Sequence, residues 1–163
     1  MRIARVSSTK LLEEEVIRIR RLLELVGWNN QQINGQLEGI EKFLGDKNCV
    51  VIFALEDDEI IGYITAQFYT WNKLGQIHGL VIHPDHRRIG FASQLVKEVE
   101  VFMRTNQARG IYVDTPTNNA SGCTFYKNNG FRQAYVMPDY YDDGIDGVTF
   151  IKLFNKERNL SYC

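Results

Sequence analysis

The sequence contains no apolar run long enough to cross a bilayer as a helix. It also lacks the hydrophobic centre of a secretory signal: Met1 to Lys10 alternate polar and apolar residues, so the expected setting is the cytoplasm, with no membrane partner. Cysteine is scarce. Cys49, Cys123 and Cys163 are odd in number and widely separated, which makes a poor disulfide framework and an equally poor zinc pattern. Positive charge is not in excess, since 19 Lys and Arg against 20 Asp and Glu leave a formal net charge of -1. Nucleic-acid binding rests on clustered basic residues that neutralise phosphates, so no nucleic-acid partner is expected. Repeats and low-complexity linkers are missing as well, and 163 residues suit one domain over 1–163 rather than two.

Hydrophobic residues at 44% and charged residues at 24% give the balance of a soluble globular chain. Arg2 to Val6 alternates as a strand does, and Leu12, Val16, Ile19, Leu23 and Val26 recur at helical spacing up to Gly27. A second helix starts near Asn29 or Asn30, whose side chains can cap free N–H groups, and carries Ile33, Leu37, Ile40 and Leu44 on one face. The period then changes. Cys49 to Leu55 and Ile60 to Phe68 read as a hairpin around a polar turn, and Gly75 to Ile82 as a third strand in series. After Pro84, the residues Ala92, Leu95, Val96, Val99, Phe102 and Met103 form one stripe of a long amphipathic helix. A short strand at Ile111 to Val113 follows, then a short helix from Asn119 to Asn129 and a strand from Phe131 to Val136. An acidic loop, Met137 to Gly147, and a last strand from Val148 to Leu153 complete an α/β chain with a mixed sheet.

The sharpest local signal is Arg87-Arg88-Ile89-Gly90-Phe91-Ala92, set between a strand and the long helix. N–H groups in the first turn of a helix have no internal partner and lie at the positive end of the macrodipole, so a phosphate can sit there if no side chain intervenes. Gly90 and Ala92 leave that space, and Arg87 and Arg88 add charge-assisted donors. The same letters also suit a solvated basic turn. The Lys-Ser/Thr ending of a nucleoside-triphosphate loop and the three-glycine dinucleotide fingerprint are both missing, which removes support for kinase and dehydrogenase chemistry.

Leu80-Val81-Ile82-His83-Pro84 precedes this turn. Asn119-Ala120-Ser121-Gly122-Cys123-Thr124-Phe125-Tyr126 follows it, ending in Lys127-Asn128-Asn129-Gly130-Phe131. In that order the motifs resemble the GNAT superfamily of N-acetyltransferases over roughly Gly75 to Leu153. The resemblance implies a mixed, mostly antiparallel twisted sheet of about seven strands flanked by about four helices, with acetyl-CoA as the acetyl donor. It implies a splayed, bulged strand at Leu80, Val81 and Ile82 that offers backbone groups to the pantetheine arm and thioester. It places the pyrophosphate among Arg87, Arg88, Ile89, Gly90, Phe91, Ala92 and Ser93, with Asn119 and Phe125 on the opposite wall. Ala92 replaces the last glycine of the family turn, and Gly122 stands where an alanine is common.

Tyr126 matches the tyrosine that many members use as general acid towards the departing thiolate, and it also borders the cofactor. As a plain helix residue it would pack half-buried against the sheet. Only a neutral amine attacks, so a base should assist; Asp114 aligns with a catalytic glutamate of the ribosomal-protein alanine N-acetyltransferases, and His78 is its rival. Asp114 could equally cap a turn with Thr115 and Pro116. His78, His83 and His86 do not suggest a metal, because strand alternation sends His78 and His83 to opposite faces. Cys123 reads as a small buried hydrophobe.

The expected activity is acetyl transfer to a primary amine by direct attack in a ternary complex, the acceptor being cationic. Tyr140 and Tyr141, among Asp139, Asp142, Asp143 and Asp146, are the expected acceptor-binding residues, since aromatic faces and carboxylates both attract an ammonium. The same Tyr-Tyr and Gly-x-Asp region resembles the ribosomal-protein alanine acetyltransferases, so a peptide N-terminus is the alternative acceptor. A non-catalytic acetyl-CoA-binding module is a third reading. Pairing of two copies through a sheet edge or the last strand is compatible with the resemblance.

Overall fold

The computed structural model describes residues 2–155; Met1 and Cys163 lie outside the described residues. Seven strands form one sheet: β1 (Arg2–Arg5), β2 (Cys49–Glu56), β3 (Glu59–Tyr69), β4 (Leu74–Ile82), β5 (Gly110–Pro116), β6 (Arg132–Asp142) and β7 (Ile145–Leu153). Among the described residues four α-helices flank it: α1 (Glu13–Leu25), α2 (Asn30–Phe43), α3 (Phe91–Thr105) and α4 (Ala120–Asn128), with a 3-10 turn at Pro84–His86. The spatial order is β1-β2-β3-β4-β5-β7-β6. All neighbours run antiparallel except β4 and β5, which are parallel. This is the mixed, mostly antiparallel sheet with four helices that the resemblance implied.

Alternation along the strands divides the core in two. Ile52, Ile64, Ile77, Ile111, Val113 and Phe150 face α3, where Leu95, Val96, Val99 and Met103 form a stripe that is at most 1% exposed. Val51, Phe53, Tyr63 and Val81 face α1 and α2 and meet Ile19, Leu22, Leu23, Ile33 and Ile40. The second helix begins where its capping residues dictate. Asn29 accepts the Gln32 N–H at 2.9 Å, and the Gln32 side chain accepts the Asn29 N–H at 3.0 Å, so two free donors are satisfied reciprocally.

Two differences from the sequence reading bear on function. The stretch Met137 to Gly147 is not a free acidic loop: β6 continues to Asp142 and β7 starts at Ile145, with a wide irregularity between Met137 and Asp142 and a tight turn with Gly144 at φ 76°. Four aspartates hid this, because their side chains find local partners that tighten the hairpin. Asp139 accepts the Gly144 N–H at 2.8 Å, and Asp146 accepts the Asp139 N–H at 3.0 Å. The second difference lies in β4. The bulge implied at Leu80 to Ile82 falls earlier: pairing with β3 shifts between Thr65 and Ala66, whose partners are Gly79 and Ile77, so His78 is the extra residue, while Leu80, Val81 and Ile82 pair in regular register. The bulge reverses the alternation, and Ile77, Leu80 and Ile82 share one core face. Alternation therefore does not send His78 and His83 to opposite faces. What separates them is their company: His83 meets the His86 ring edge-on at 5.1 Å, while His78 meets Phe43 of α2 at 5.0 Å.

Glycines report where backbones must approach. A Cβ on Gly62 would lie 2.8 Å from the Val81 carbonyl oxygen and 2.6 Å from Ile82 Cδ1, whereas one on Gly39, inside α2, would meet nothing within 4 Å. Gly62→Ala is therefore expected to destabilise the fold by about 1–3 kcal/mol through overpacking, and Gly39→Ala to stabilise it by roughly 0.5–1 kcal/mol through helix propensity. Urea unfolding of the two variants checks the opposite signs.

Candidate active site

The parallel pair β4 and β5 is short. Register runs from Leu74 opposite Gly110 to Ile77 opposite Val113 and then stops, although β4 goes on to Ile82 and β5 to Pro116. The two strands part there. The His83 N–H donates to the Ile61 carbonyl at 2.7 Å, so Val81, two residues earlier, turns its main-chain groups towards β3. Leu80 and Ile82 consequently turn theirs into the opening beside β5. The Ile82 carbonyl accepts the Arg87 Nε–H at 3.2 Å, which leaves the Leu80 and Ile82 N–H groups facing the gap.

A groove of about 650 Å³ runs from this opening between α3 and α4. Of the residues expected at the cofactor, Leu80, Val81, Ile82, Arg87, Arg88, Gly90, Phe91, Ala92, Ser93, Asn119, Phe125 and Tyr126 all line it. Ile89 does not: it is 61% exposed and stands outside the lining. Arg88 at φ 63° and Gly90 at φ 98° turn the chain sharply into α3. No side chain caps that helix, and its first internal bond is Gln94 N–H to the Gly90 carbonyl at 3.1 Å. A Cβ on Gly90 would meet nothing within 4 Å, so the space before the helix end is open. Opposite, Asn119 caps α4 by accepting the Gly122 N–H at 3.1 Å and donates to Thr115 Oγ1 at 3.1 Å. Val26 and Trp28, from the turn between α1 and α2, complete the walls.

Tyr126 is only 7% exposed, and its ring packs against Phe125, Phe131 and Phe150 with centroids 5.2, 5.5 and 6.0 Å away. Its hydroxyl makes no hydrogen bond among the described residues. Burial pushes the phenol well above its ordinary range, with smaller contributions from Tyr141 and Cys123, so it stays a proton donor at working pH. Cys123 is partly exposed and packs against the core rim, rather than being fully buried.

Asp114 stands at the fork on the face towards α2. Gln76 Nε2 donates to its Oδ2 at 3.2 Å, and the Thr149 hydroxyl donates to Oδ1. The turn-capping alternative for Asp114 is thus replaced by a polar cluster that also holds Tyr69 and Tyr112, whose hydroxyls both donate to Gln76 Oε1 at 3.0 Å. Desolvation, then neighbouring Tyr69 and Asp114, pushes the Tyr112 phenol up to about 12. Partial desolvation of the otherwise exposed His78 ring, opposed by Asp114, lowers its imidazole below the ordinary value. Tyr140 and Tyr141 sit on the β6–β7 hairpin, 49% and 44% exposed, with rings edge-to-face at 5.0 Å. Tyr140 lies so close over Gly147 that a Cβ there would come within 2.6 Å of its Cδ1. Burial and then Asp114 raise the Tyr141 phenol to about 12.

Sequence reasoning missed Gln76, Tyr69, Tyr112 and Thr149. Their signal was present as polar residues in register within apolar strands: Gln76 beside His78, and Tyr112 beside Asp114. A second depression of about 560 Å³, between β1 and α1, mixes Arg2, Arg5 and Arg18 with Glu14, Glu15 and Asp58, and holds none of the expected residues.

Comparison with known proteins follows the same lines. The streptothricin acetyltransferase of Escherichia coli is 33% identical over 86 residues, which cover 53% of this chain and 49% of that protein. An N-alpha-acetyltransferase of Sulfurisphaera tokodaii is 26% identical over 101 residues, covering 55% of this chain and 60% of that one. The match therefore spans less than two thirds of either relative. The crystal structure of an aminoglycoside 6'-N-acetyltransferase complexed with coenzyme A superposes with a TM-score of 0.78 at 16% identity, over 98% of this chain and 100% of that one, and so shares the fold. The profile of the Acetyltransferase (GNAT) family matches residues 16–131, a span that holds β4, the turn at Gly90, α3, β5 and α4, and the chain belongs to that family.

Proposed function

We propose that this protein, acting as one domain in the cytoplasm, transfers the acetyl group of acetyl-CoA to a cationic primary amine by direct attack with both substrates bound. The observation that carries the proposal is the continuity of two unlike surfaces at one fork: a groove ending at an uncapped helix start, and an acidic, tyrosine-lined face holding Asp114. The groove suits a pyrophosphate-bearing thioester, because Gly90 leaves open the space that a side chain would fill. The E. coli relative's name concerns streptothricin, and that of the S. tokodaii relative a protein N-terminus.

Acetyl-CoA supplies an activated acyl group on a thiol leaving group. The chain supplies the rest. N–H groups of Phe91, Ala92 and Ser93, with Arg88, hold the pyrophosphate. The Leu80 and Ile82 N–H groups face the gap where the acetyl carbonyl gathers charge. Tyr126, kept protonated by burial, donates to the departing sulfur. Asp114 draws the ammonium to the fork from the opposite face, and the Tyr140 and Tyr141 rings form the lip through which the acceptor enters. A peptide N-terminus is the second reading, favoured by that half-exposed aromatic pair, which could lie along a main chain. Release of free thiol with candidate amines tests the activity against a binding-only module, and mass spectrometry of the product separates metabolite from peptide.

Gly90→Ala adds a Cβ in open space at a left-handed residue, which costs about 1–2 kcal/mol of backbone strain. It is expected to leave a folded protein whose CoA affinity falls by about tenfold or more; calorimetry showing undiminished affinity contradicts the groove assignment. Tyr126→Phe should lower kcat by about ten- to a thousand-fold while the CoA dissociation constant stays nearly unchanged. Steady-state rates at saturating acetyl-CoA read that effect directly. Changing Tyr140 and Tyr141 to Ala, or Asp142 and Asp143 to Asn, should raise KM for the amine and spare CoA binding, with a weaker salt dependence in the Asn pair. Unchanged KM in both double variants would move acceptor selection to the wall around Trp28.

A further inference from the structure

The polar cluster beside α2 fixes more than the place of Asp114. A carboxylate can only accept, so the Gln76 amide must turn its NH2 towards Asp114 Oδ2, and its carbonyl oxygen then faces Tyr69 and Tyr112. A carbonyl cannot donate. Each 3.0 Å contact therefore consumes the single hydroxyl proton of its tyrosine. Tyr69 is left with lone pairs only, and His78 Nε2 lies 3.5 Å from that oxygen. Two lone pairs facing each other repel, whereas an N–H facing a lone pair attracts, and at 3.5 Å, beyond ordinary hydrogen-bond length, that difference acts as a weak electrostatic bias. Neutral His78 is thus the Nε2–H tautomer, and its free lone pair is on Nδ1, which has no partner among the described residues.

The surroundings of this solvent-exposed ring favour its neutral form. Among the described residues, Asp114 of β5 is the only charged group that acts on it; Tyr69 of β3 is uncharged, and α2 meets it through the Phe43 ring. The ring stays open to solvent on one side, and its partial desolvation outweighs Asp114 and lowers the imidazole pKa, which favours the free base near neutral pH. Asp114, by contrast, already accepts a protein hydrogen bond on each oxygen, from Gln76 and from Thr149. With both oxygens occupied, it is placed to attract a cation rather than to carry a proton away.

We propose that Gln76 is a positioning residue which, through Tyr69, sets the tautomer of His78, and that His78 Nδ1 removes the proton from the acceptor ammonium while Asp114 anchors its charge. The proposal rests on the acetyltransferase reading. His78 takes one proton from the ammonium and later returns it to solvent. The freed nitrogen lone pair forms the N–C bond as the C–S bond breaks with its electron pair on sulfur. The second nitrogen proton balances the thiolate, with Tyr126 donating to sulfur in the interval.

Ring nitrogen-15 shifts test the network without reference to activity, since the chain has three histidines and variants of His83 and His86 assign the remaining signal. The expected result is an Nε2–H tautomer for His78 near neutral pH. Gln76→Leu frees the Tyr69 proton to point at His78 and should shift the ring towards Nδ1–H, with kcat for the amine reduced about tenfold and CoA affinity unchanged. Gln76→Glu, protonated between Tyr69 and Asp114, should restore the wild-type tautomer and part of the rate. If Gln76→Leu does not fold, Tyr69→Phe removes the same constraint and should populate both tautomers. His78→Asn should lower kcat/KM for the amine about a hundredfold and abolish its fall at acidic pH that belongs to the imidazole. A wild-type Nδ1–H ring overturns the network. An unaltered pH profile in His78→Asn, in an enzyme that does turn over, overturns the base alone. A wild-type protein that binds CoA and acetylates no amine overturns the base together with the acetyltransferase reading.

Discussion

Everything in this molecule that bears on chemistry depends on two parallel strands ceasing to pair. The ladder between β4 and β5 ends after Ile77 and Val113, and the main-chain groups beyond it find no neighbour across the gap. Unpaired backbone donors inside a protein are costly unless something else uses them. Here the gap is held open from both sides. The bulge at His78 twists β4 away, and β5 is drawn to β7 along its whole length from Gly110 to Pro116. The helices follow from the fork: α3 packs on one face with its uncapped start at the opening, and α4 closes the far wall through Tyr126.

The two faces of the fork differ in electrostatic character because different elements cover them. Towards α3 the sheet is apolar, and the polar groups at its edge are helix N–H groups and arginines, an arrangement suited to phosphate. Towards α2 the helical cover is concentrated over β2 and β3 and meets the core through Val51, Phe53 and Tyr63. The part near β5 and β7 keeps Tyr112, Asp114 and Thr149, with Tyr140 and Tyr141 on the adjoining hairpin. Desolvated phenols surround one carboxylate there. In the proposed reaction this separation has a use: an anionic donor and a cationic acceptor approach from opposite faces and meet only where the strands part.

Much of this was legible in the chain. Helical spacing gave α1, α2 and α3, the Asn29 cap gave the start of α2, and the Gly90 turn with its flanking strand gave the groove, of whose expected residues only Ile89 stands apart. These features are local: a cap, a stripe or a glycine turn is set by residues within a few positions of one another. The acidic hairpin was read as a loop for an equally local reason, since aspartates favour turns, and here they bond to the hairpin's own backbone instead of breaking it.

Sequence by itself thus determined the α/β class, the order of elements, the glycine turn that opens α3 and the candidacy of Tyr126 and Asp114. Tertiary structure alone decided what those residues touch. The resemblance implied a bulge in β4, but its place at His78, which reverses the face that later β4 residues present, leaves no trace in a period-2 pattern that is apolar on both sides. The network of Tyr69, Gln76, Tyr112, Asp114 and Thr149 gathers residues from four strands, up to 80 positions apart along the chain, into hydrogen-bond range. Proton positions within it follow from counting donors and acceptors, and that count exists only once folding has set the five side chains side by side.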